Sequence, residues 1–322
     1  MVQKSSRIAP ADSTTIRAIR PGGAPSLQSR RRRTGLVLVT PALLVLLAVV
    51  AYPIGRSIVL SFQHVAAKRG VFSYEYTGIA NYRRLWSDEA FQIAVKNSIY
   101  FTVVEVIGVL AIALLAALLL NHPFGRSGFF RTILLIPWAI SPVANAVLWK
   151  WILHANYGIL NALLYQLGLI DKYVNWLGEP KLALRMMLLA DIWKSVPFIT
   201  LLLLAGLQNV PGYLYRAARI DGATLWQRFR FITLPGLRTP IAIAVVLQTI
   251  WSFKVFDLVF VLTKGGPADG TLLLNYLAYR VTFNFLDFGY GAAIANVLFA
   301  AMFLLAFGYI KLLKPGAARS TR

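Results

Sequence analysis

The chain has 322 residues, of which 58% are hydrophobic and only 14% are charged, and its mean hydropathy is +0.64. This balance is too apolar for an ordinary soluble domain of this length and indicates a protein embedded in a bilayer. Taken alone, the formal net charge of +21 would be compatible with a nucleic-acid partner. The positions of the cations along the chain decide whether such a partner is expected. Cysteine is absent, which excludes a disulfide framework.

The N-terminal segment, residues 1–35, is rich in Ser, Pro and Arg and has few large apolar side chains. This composition predicts a disordered basic cytoplasmic tail. The four arginines Arg30 to Arg33 directly precede the first apolar run and are expected to anchor it. That run is longer than the core of a signal peptide and has no clear small-residue cleavage site, so we expect a retained first helix.

Six apolar runs are long enough to cross a bilayer, for which about 20 residues are needed. They are residues 36–62, 97–120, 132–153, 182–207, 239–262 and 289–313. The fold is therefore predicted to be all-α, with six transmembrane helices over residues 36–313 and a short cytoplasmic tail over 314–322. Prolines within these runs predict kinks at Pro41, Pro53, Pro137, Pro142 and Pro197.

The distribution of Lys and Arg predicts the orientation of these spans. If the N-terminus is cytoplasmic, the segments on the inside hold 19 cations and the external loops hold eight, counting Lys96 with the helix that follows it. Such an excess of cations on the cytoplasmic side is the positive-inside pattern, so both termini are expected in the cytoplasm. The external loops are then residues 65–96, 154–181 and 263–288. Because the cations follow membrane topology and face membrane lipid, no nucleic-acid partner is expected.

A polar and basic insert at residues 208–238 separates the fourth apolar run from the fifth. Two short helical pieces, 213–220 and 223–233, are predicted on either side of Asp221-Gly222. Gly222 permits a left-handed backbone there, and a larger residue is expected to clash between the two pieces. By itself, a basic amphipathic segment of this kind is typical of a helix that rests on lipid headgroups.

Four sequence blocks resemble the inner-membrane permease subunits of binding-protein-dependent ABC importers. The spacing of Ala217, Ala218, Gly222, Ile232, Leu234 and Pro235 is similar to their EAA loop, and IDGATLWQRFRFITLP resembles the carbohydrate-uptake branch. The segments IANYRRLWSDEAF at 79–91, FDLVFVLTKGGPADGT at 256–271 and DFGYGAA at 287–293 resemble the same branch. The similarity runs in order from Leu36 to Leu313. Arg216 departs from the family pattern, which has Glu at this position.

The resemblance implies a type I importer permease in a bacterial cytoplasmic (inner) membrane, importing a sugar or small oligosaccharide. It implies four kinds of partner: a second homologous permease, two ATP-binding subunits, an external solute-binding protein and the sugar itself. The chain contains no G-x-x-x-x-G-K-[S/T] motif, so ATP and Mg are expected on the ATPase partners, with no cofactor or catalytic residue here. The implied docking residues are Arg216, Ala217, Ala218, Asp221, Gly222, Ala223, Leu225 and Phe229.

Polar side chains inside the apolar runs are costly and therefore predict a substrate pathway. Asp191, Lys194, Ser195 and Phe198 recur at helical spacing in the fourth run, and Gln248, Trp251, Ser252 and Val255 do so in the fifth. The resemblance implies that these two stripes line a central sugar site, as in maltose-type permeases. They offer hydrogen-bonding groups for hydroxyls and an aromatic face for the sugar ring. Glu105, Asn145 and Trp149 are weaker candidates that could instead join helices.

Several alternatives remain open from the residues alone. Asp191 with Lys194, and Lys254 with Asp257, could be i,i+3 pairs that neutralise each other. The two lysines also allow a phosphorylated polyol such as glycerol 3-phosphate as substrate. A secondary transporter would be expected to show an inverted repeat with an ion site, and no such repeat is recognisable.

Enzymatic and metal chemistry are not predicted. A membrane-embedded enzyme would need a nucleophile with its base or a cluster of His and Asp, and none is recognisable. His64, His122 and His154 lack metal-ligand spacing, so no metal site is expected. Gly265-Gly266-Pro267 follows a membrane helix rather than a strand and predicts a tight external turn.

Overall fold

A computed structural model describes residues 27–68, 71–122 and 128–313. Most of the predicted N-terminal tail, and all of the predicted tail at 314–322, lie outside the described residues. Contacts divide the chain into two units, Met1–Ile54 and Gly55–Arg322.

The first unit contains α1 (Leu27–Leu46), a π-helical turn (Leu47–Ala51) and the beginning of α2 (Tyr52–Ser61). Helix α1 starts inside the predicted tail. In the π turn the N–H of Tyr52 donates to the carbonyl of Leu47, five residues earlier. A proline lacks the N–H group and crowds the carbonyl four residues before it, so the wider turn accommodates Pro53. The span Leu36–Ser61 is long and apolar enough to cross a membrane, as predicted.

Three predicted spans of the second unit are continuous helices: α4 (Glu89–Asn121), α8 (Pro180–Gln208) and α15 (Phe288–Leu313). Helix α4 begins before the predicted residue 97, because Asp88 caps it. The Asp88 carboxylate accepts hydrogen bonds from the N–H groups of Ala90 and Phe91, which stabilises the first turn outside the apolar run.

The third predicted span is bent. It consists of α5 (Gly128–Ala139) and α6 (Pro142–Ile152), which meet at 91°. Pro142 cannot continue a helix from α5 without losing a hydrogen bond and clashing, whereas it fits the first position of a new one. Ser141 caps that new helix by accepting from the N–H of Ala144.

The fifth predicted span is interrupted between α12 (Arg238–Phe253) and α13 (Asp257–Leu262). Among the residues that the structure describes, five helices are long and apolar enough to cross a membrane. The count reaches six if the bent pair forms one span, in agreement with the prediction.

The three segments predicted to be external contain regular structure that the sequence did not predict. An antiparallel hairpin of β1 (Gln63–Lys68) and β2 (Val71–Tyr76) precedes α3 (Ala80–Ser87), so the predominantly helical fold is not purely α. Short helices α7 (Ile159–Gln166) and α14 (Leu274–Tyr279), with a π turn Arg280–Asn284, lie in the other two of these segments. At the predicted turn, the Gly266 N–H donates to the carbonyl of Thr263 at 3.0 Å.

The core of the second unit centres on α8, which packs against α4, α5 and α12. Gly108 of α4 permits a close approach, since a Cβ there would lie 2.8 Å from Ile192 of α8. The insert at 208–238 folds into α9 (Gly212–Ile220), α10 (Leu225–Arg228), a π turn (Phe229–Thr233) and α11 (Leu234–Gly236). It leads directly from α8 into α12, so both of these helices are connected to it.

Candidate functional site

A cavity of about 270 Å³ lies among α4, α5, α6, α8 and the segment that joins α12 to α13. Glu105 and Asp191, two of its lining residues, lie near the middle of the long helices α4 and α8. The cavity is therefore at mid-membrane depth, where polar groups are expensive and indicate function.

Most of the predicted α8 and α12 residues lie at this cavity. Asp191, Lys194 and Ser195 line it from α8, and Trp251 and Val255 line it from the end of α12 and the segment beyond. The helical spacing on α8 thus brings one face of that helix to the cavity.

Phe198, one turn further along α8, packs between two tryptophans. Its ring centre is 5.5 Å from that of Trp138 in a stacked arrangement and 5.2 Å from that of Trp251 in an edge arrangement. Trp138 belongs to α5 and also lines the cavity. Sequence reasoning did not single it out, although Ser141 and Asn145 follow it at i+3 and i+7. Together, Trp138 and Trp251 give the cavity the aromatic surface that sugar C–H faces prefer.

Gln248 and Ser252 do not line the cavity, although they were predicted to belong to the substrate pathway. Both are buried, and both face α4. The Gln248 amide donates to Glu105 Oε1, and the Ser252 hydroxyl donates to Thr102 Oγ1 at 3.1 Å. Helix α12 packs on α4 with one side and borders the cavity with another. The predicted α12 residues are therefore divided between the α4 interface and the cavity.

Two of the three weaker candidates do line the cavity. Glu105 is fully buried and Asn145 is 1% exposed, and each keeps a side-chain oxygen without a hydrogen-bond donor from the described chain. Trp149 does not line the cavity and packs edge-on against Trp193, with ring centres 5.9 Å apart.

The charged residues do not form the i,i+3 ion pairs that were considered. Among the described residues, ion pairs join Arg84 to Asp287 and Arg280 to Asp269, and neither Asp191 nor Asp257 forms one with its lysine. Lys194, Lys254 and Asp257 instead line the cavity beside Asp191. These charged side chains therefore share one cavity, in which Asp191 interacts electrostatically with Lys194 and Glu105.

The break after α12 places Lys254, Val255 and Phe256 at the cavity. The Asn275 amide donates to the carbonyl of Lys254 at 3.0 Å, which satisfies one backbone group released by the break. Unwound backbone at membrane depth is tolerated where it is buried in protein or lines a cavity.

The insert at 208–238, called the docking loop from here on, contains the predicted break at Gly222. Its φ is +74°, the Gly222 N–H donates to the carbonyl of Arg219, and the Ala223 N–H donates to that of Ala218 at 2.8 Å. This pair of bonds is the Schellman ending of α9. The predicted clash is wrong, since a Cβ on Gly222 would meet nothing within 4 Å. The requirement for glycine comes from the left-handed backbone.

Thr224 and Gln227 start α10 with a reciprocal capping box. The Thr224 N–H donates to Gln227 Oε1 at 2.7 Å, and the Gln227 N–H donates to Thr224 Oγ1 at 3.2 Å. Two such bonds satisfy N–H groups that the helix itself leaves unpaired. The sequence prediction had begun this piece at residue 223.

Tight contacts hold the two ends of the docking loop together. Next to the loop, a Cβ on Gly206 of α8 would lie 2.5 Å from Pro240 of α12, and within the loop a Cβ on Gly236 would lie 2.7 Å from Val210. The loop therefore joins α8 and α12 at a crossing with no room for further atoms, which favours movement of these elements as one body.

The exposed surface of the docking loop is unusually apolar. Ile220 is 87% exposed, Leu225 79% and Trp226 69%. Of these three, only Leu225 was a predicted docking residue. The remaining predicted docking residues are exposed or half-buried: Arg216, Ala217, Ala218, Asp221, Gly222, Ala223 and Phe229. Large apolar side chains that protrude from a polar segment are typical of a surface that contacts another protein.

Metal-binding geometry is not found in the part of the chain that the structure describes, where no three His, Asp or Glu side chains cluster suitably. His154 stacks on Tyr157, with ring centres 3.5 Å apart.

Comparison with known proteins places these features in a family. Residues 108–319 match the family described as binding-protein-dependent transport system inner membrane component. The trehalose/maltose transport system permease protein MalF of Thermococcus litoralis is 36% identical over 285 residues, which cover 88% of this chain and 95% of the relative. The lactose transport system permease protein LacF of Rhizobium radiobacter is 35% identical over 85% of this chain and 91% of its own length.

A solved structure supports the same fold. One chain in the crystal structure of a bacterial alginate ABC transporter, in complex with an alginate pentasaccharide-bound periplasmic protein, aligns with a TM-score of 0.75. The alignment covers 89% of this chain and 96% of the chain in that structure, with 22% sequence identity. The bent third span, the interrupted fifth span and the docking loop are thus parts of a type I importer permease fold. The chain belongs to the family of inner-membrane permease components of binding-protein-dependent ABC transporters.

Proposed function

We propose that the chain is the permease subunit of an ATP-driven importer that moves a sugar or small oligosaccharide across the cytoplasmic membrane. The observation that carries this proposal is the mid-membrane cavity, in which the aromatic faces of Trp138 and Trp251 stand beside polar groups on α4, α6 and α8. A sugar needs both kinds of surface, an aromatic face for its C–H groups and hydrogen-bonding groups for its hydroxyls. The names of the relatives, which include trehalose, maltose and lactose permeases, favour the same substrate class.

The permease would act within an assembly of five polypeptides. We expect a second homologous permease to complete the pore, two subunits to bind and hydrolyse ATP with Mg, and an external binding protein to deliver the sugar. This chain would carry no cofactor and no catalytic residue.

The docking loop would receive the motion of the ATPase subunits. Its exposed apolar residues Ile220, Leu225 and Trp226 would contact them, and the Gly206–Pro240 crossing would pass the displacement to α8 and α12. Because these helices border the cavity, a rigid movement of the loop can change which side of the membrane the cavity faces. This arrangement requires the loop, and with it both termini, on the cytoplasmic side.

A phosphorylated polyol suits the cavity less well than a neutral sugar. Three carboxyl groups, those of Glu105, Asp191 and Asp257, line it against the two ammonium groups of Lys194 and Lys254. A phosphate group would add further negative charge to a site in which carboxyl groups already outnumber cations.

Uptake by the complete complex in proteoliposomes tests the proposal. The external binding protein, ATP inside the vesicles, and a mixture of radiolabelled trehalose, maltose and lactose would be supplied. We expect ATP-dependent accumulation of at least one sugar. Accumulation of glycerol 3-phosphate in a parallel assay, with none of the three sugars transported, would contradict the proposal.

A further inference from the structure

Helix α7 (Ile159–Gln166) carries an apolar surface that the fold leaves uncovered. Ile159, Leu163 and Leu167 follow one another at intervals of four residues, and they are 57%, 51% and 70% exposed. Leu167 caps the end of the helix with helical dihedral angles, so all three side chains project from one face. A helix that borders water would carry polar side chains on this face.

Asn161 fixes which face of α7 points outward. Its side chain is fully buried, and its amide donates to the carbonyls of His154, Ala155 and Val174. Its side-chain oxygen accepts from the Val174 N–H and from the Trp176 indole. Because these bonds join the segments before and after α7, the helix cannot turn its apolar face inward without breaking them.

The connection from α6 keeps α7 beside a membrane helix. The N–H of His154 donates to the carbonyl of Trp151, and the N–H of Gly158 donates to the carbonyl of His154, so the chain turns twice within a few residues. A Cβ on Gly158 would collide with the carbonyl oxygen of His154, which shows how tightly the second turn is closed. Helix α7 consequently packs against α6 instead of extending into solvent.

The exposed surface of α6 has the same apolar character. Val143, Val147 and Trp151 also follow one another at intervals of four residues, and all three are exposed. On a helix that lies within a bilayer, an apolar stripe of this kind contacts acyl chains. The apolar surface of α7 continues this stripe after a short connection, which favours lipid as the neighbour of both.

The composition around α7 fits a lipid surface better than a protein partner. Residues 155–170 contain no Asp, Glu, Lys or Arg, whereas a protein interface has a polar rim. Tyr157 and Tyr165 are exposed in this segment, and tyrosine is enriched where acyl chains meet headgroups. The next charged side chains, Asp171 and Lys172, are exposed directly after it.

We propose that α7 lies in the external membrane–water interface, with Ile159, Leu163 and Leu167 inserted among the upper acyl chains of phospholipids. This inference goes beyond the proposed function and does not depend on which substrate is transported. Helix α6 has 11 residues and is therefore about 16 Å long, roughly half the thickness of the hydrocarbon core. Lipid contact through α7 would hold the external end of a helix that is too short to fix its own depth.

Spin labels on single cysteines test this placement, because the chain has no cysteine of its own. Nitroxides would be attached to Ile159→Cys and Leu163→Cys in the assembled complex, with any cysteines of its partners replaced. The complex would be reconstituted in vesicles of phosphatidylethanolamine and phosphatidylglycerol. Collision rates would be measured with oxygen, which partitions into lipid, and with a water-soluble nickel chelate. The oxygen-to-nickel ratio should be about tenfold higher at both residues than at a label in water.

Two matched positions in the same segment calibrate the measurement. Lys172→Cys, exposed just beyond α7, is the water reference, and Leu160→Cys, packed against the core, is the protein reference. Low collision rates with both reagents at residues 159 and 163 would show that another subunit covers the face. A high rate with the nickel chelate would show that it borders water. Either result would overturn the inference.

A measurement on the wild-type complex avoids any effect of substitution. Phospholipids with a photoreactive diazirine on the upper part of the acyl chain should cross-link within residues 159–167, and mass spectrometry of proteolytic fragments would locate the adducts. Adducts on the exposed stripe of α6 without any on α7 would overturn the inference. Both measurements require only an assembled complex in vesicles. Absence of sugar uptake by that complex would count against the proposed function and leave this inference standing.

Discussion

Substitution of Gly222 separates backbone strain from steric fit in the docking loop. Gly222 ends α9 with φ at +74° and forms one of the two hydrogen bonds of the Schellman turn. A Cβ at this position would meet nothing within 4 Å. The only direct cost of a side chain is therefore the left-handed backbone, which disfavours an L-residue by about 1–2 kcal/mol.

The size of that cost should depend on the residue introduced at 222. The free-energy cost of the left-handed backbone should be smallest for Asn and intermediate for Ala. It should be largest for Val, because a β-branched side chain is strongly disfavoured there. Since 1.4 kcal/mol corresponds to a factor of ten in an equilibrium, Val should reduce the population of the intact turn by roughly tenfold or more. The turn sets the direction of α10, so its loss should uncouple ATP hydrolysis from transport.

Sugar uptake and ATP hydrolysis, measured together in reconstituted complexes, check this prediction. We expect coupling to decrease in the order Gly222→Asn, Gly222→Ala, Gly222→Val, with assembly retained in all three. Equal loss in Asn and Val variants would show that steric fit against a partner matters and would refute the argument from backbone conformation. Wild-type coupling in the Val variant would refute the docking role.

The remaining predictions concern the cavity, the loop, the topology and the helix crossing. Trp251→Ala should lower uptake several-fold at normal assembly, because a lost aromatic contact is worth about 0.5–1.5 kcal/mol, and unchanged uptake would contradict this. Arg216→Glu should leave uptake close to wild type, since Arg216 is exposed; failure of the ATPase subunits to co-purify would argue otherwise. With single cysteines at Ser87 and Thr224, an impermeant reagent added to intact cells should label only residue 87, and the reverse pattern would invert the topology. Gly206→Ala places a Cβ 2.5 Å from a proline of α12, so the complex should lose thermal stability by about 1–3 kcal/mol, and an unchanged melting temperature would disprove the tight crossing.

Hydropathy predicted the membrane helices well because the bilayer demands long apolar segments whatever their neighbours are. The spans at 36–62 and 182–207 correspond closely to Leu36–Ser61 and Pro180–Gln208. Hydropathy could not predict the 91° bend between α5 and α6. A hydropathy average along the sequence has the same value whether Pro142 kinks one helix or begins a new one. The β1–β2 hairpin was missed for a related reason, because it lies outside every apolar run.

The cavity was only partly predictable because helical spacing does not reveal which side of a helix meets which neighbour. Asp191, Lys194 and Ser195 of the α8 stripe line the cavity, and Phe198 packs beside it between Trp138 and Trp251. The α12 stripe is divided, with Trp251 at the cavity and Gln248 and Ser252 against α4. Glu105 carries no periodic signal of its own, so only the packing of α4 on α12 shows that it lies beside Gln248 at the cavity.

The central claim is that sugar passes through the cavity bordered by α8 and the end of α12. Ser195 lines this cavity in a chain without natural cysteine, so Ser195→Cys allows one thiol to be placed there. After a maleimide has reacted with it, the account predicts that the complex still hydrolyses ATP but no longer accumulates labelled sugar. Val103→Cys, which is 51% exposed on α4 and outside the cavity, should keep uptake after the same treatment. Full uptake after quantitative labelling of residue 195 would contradict the account.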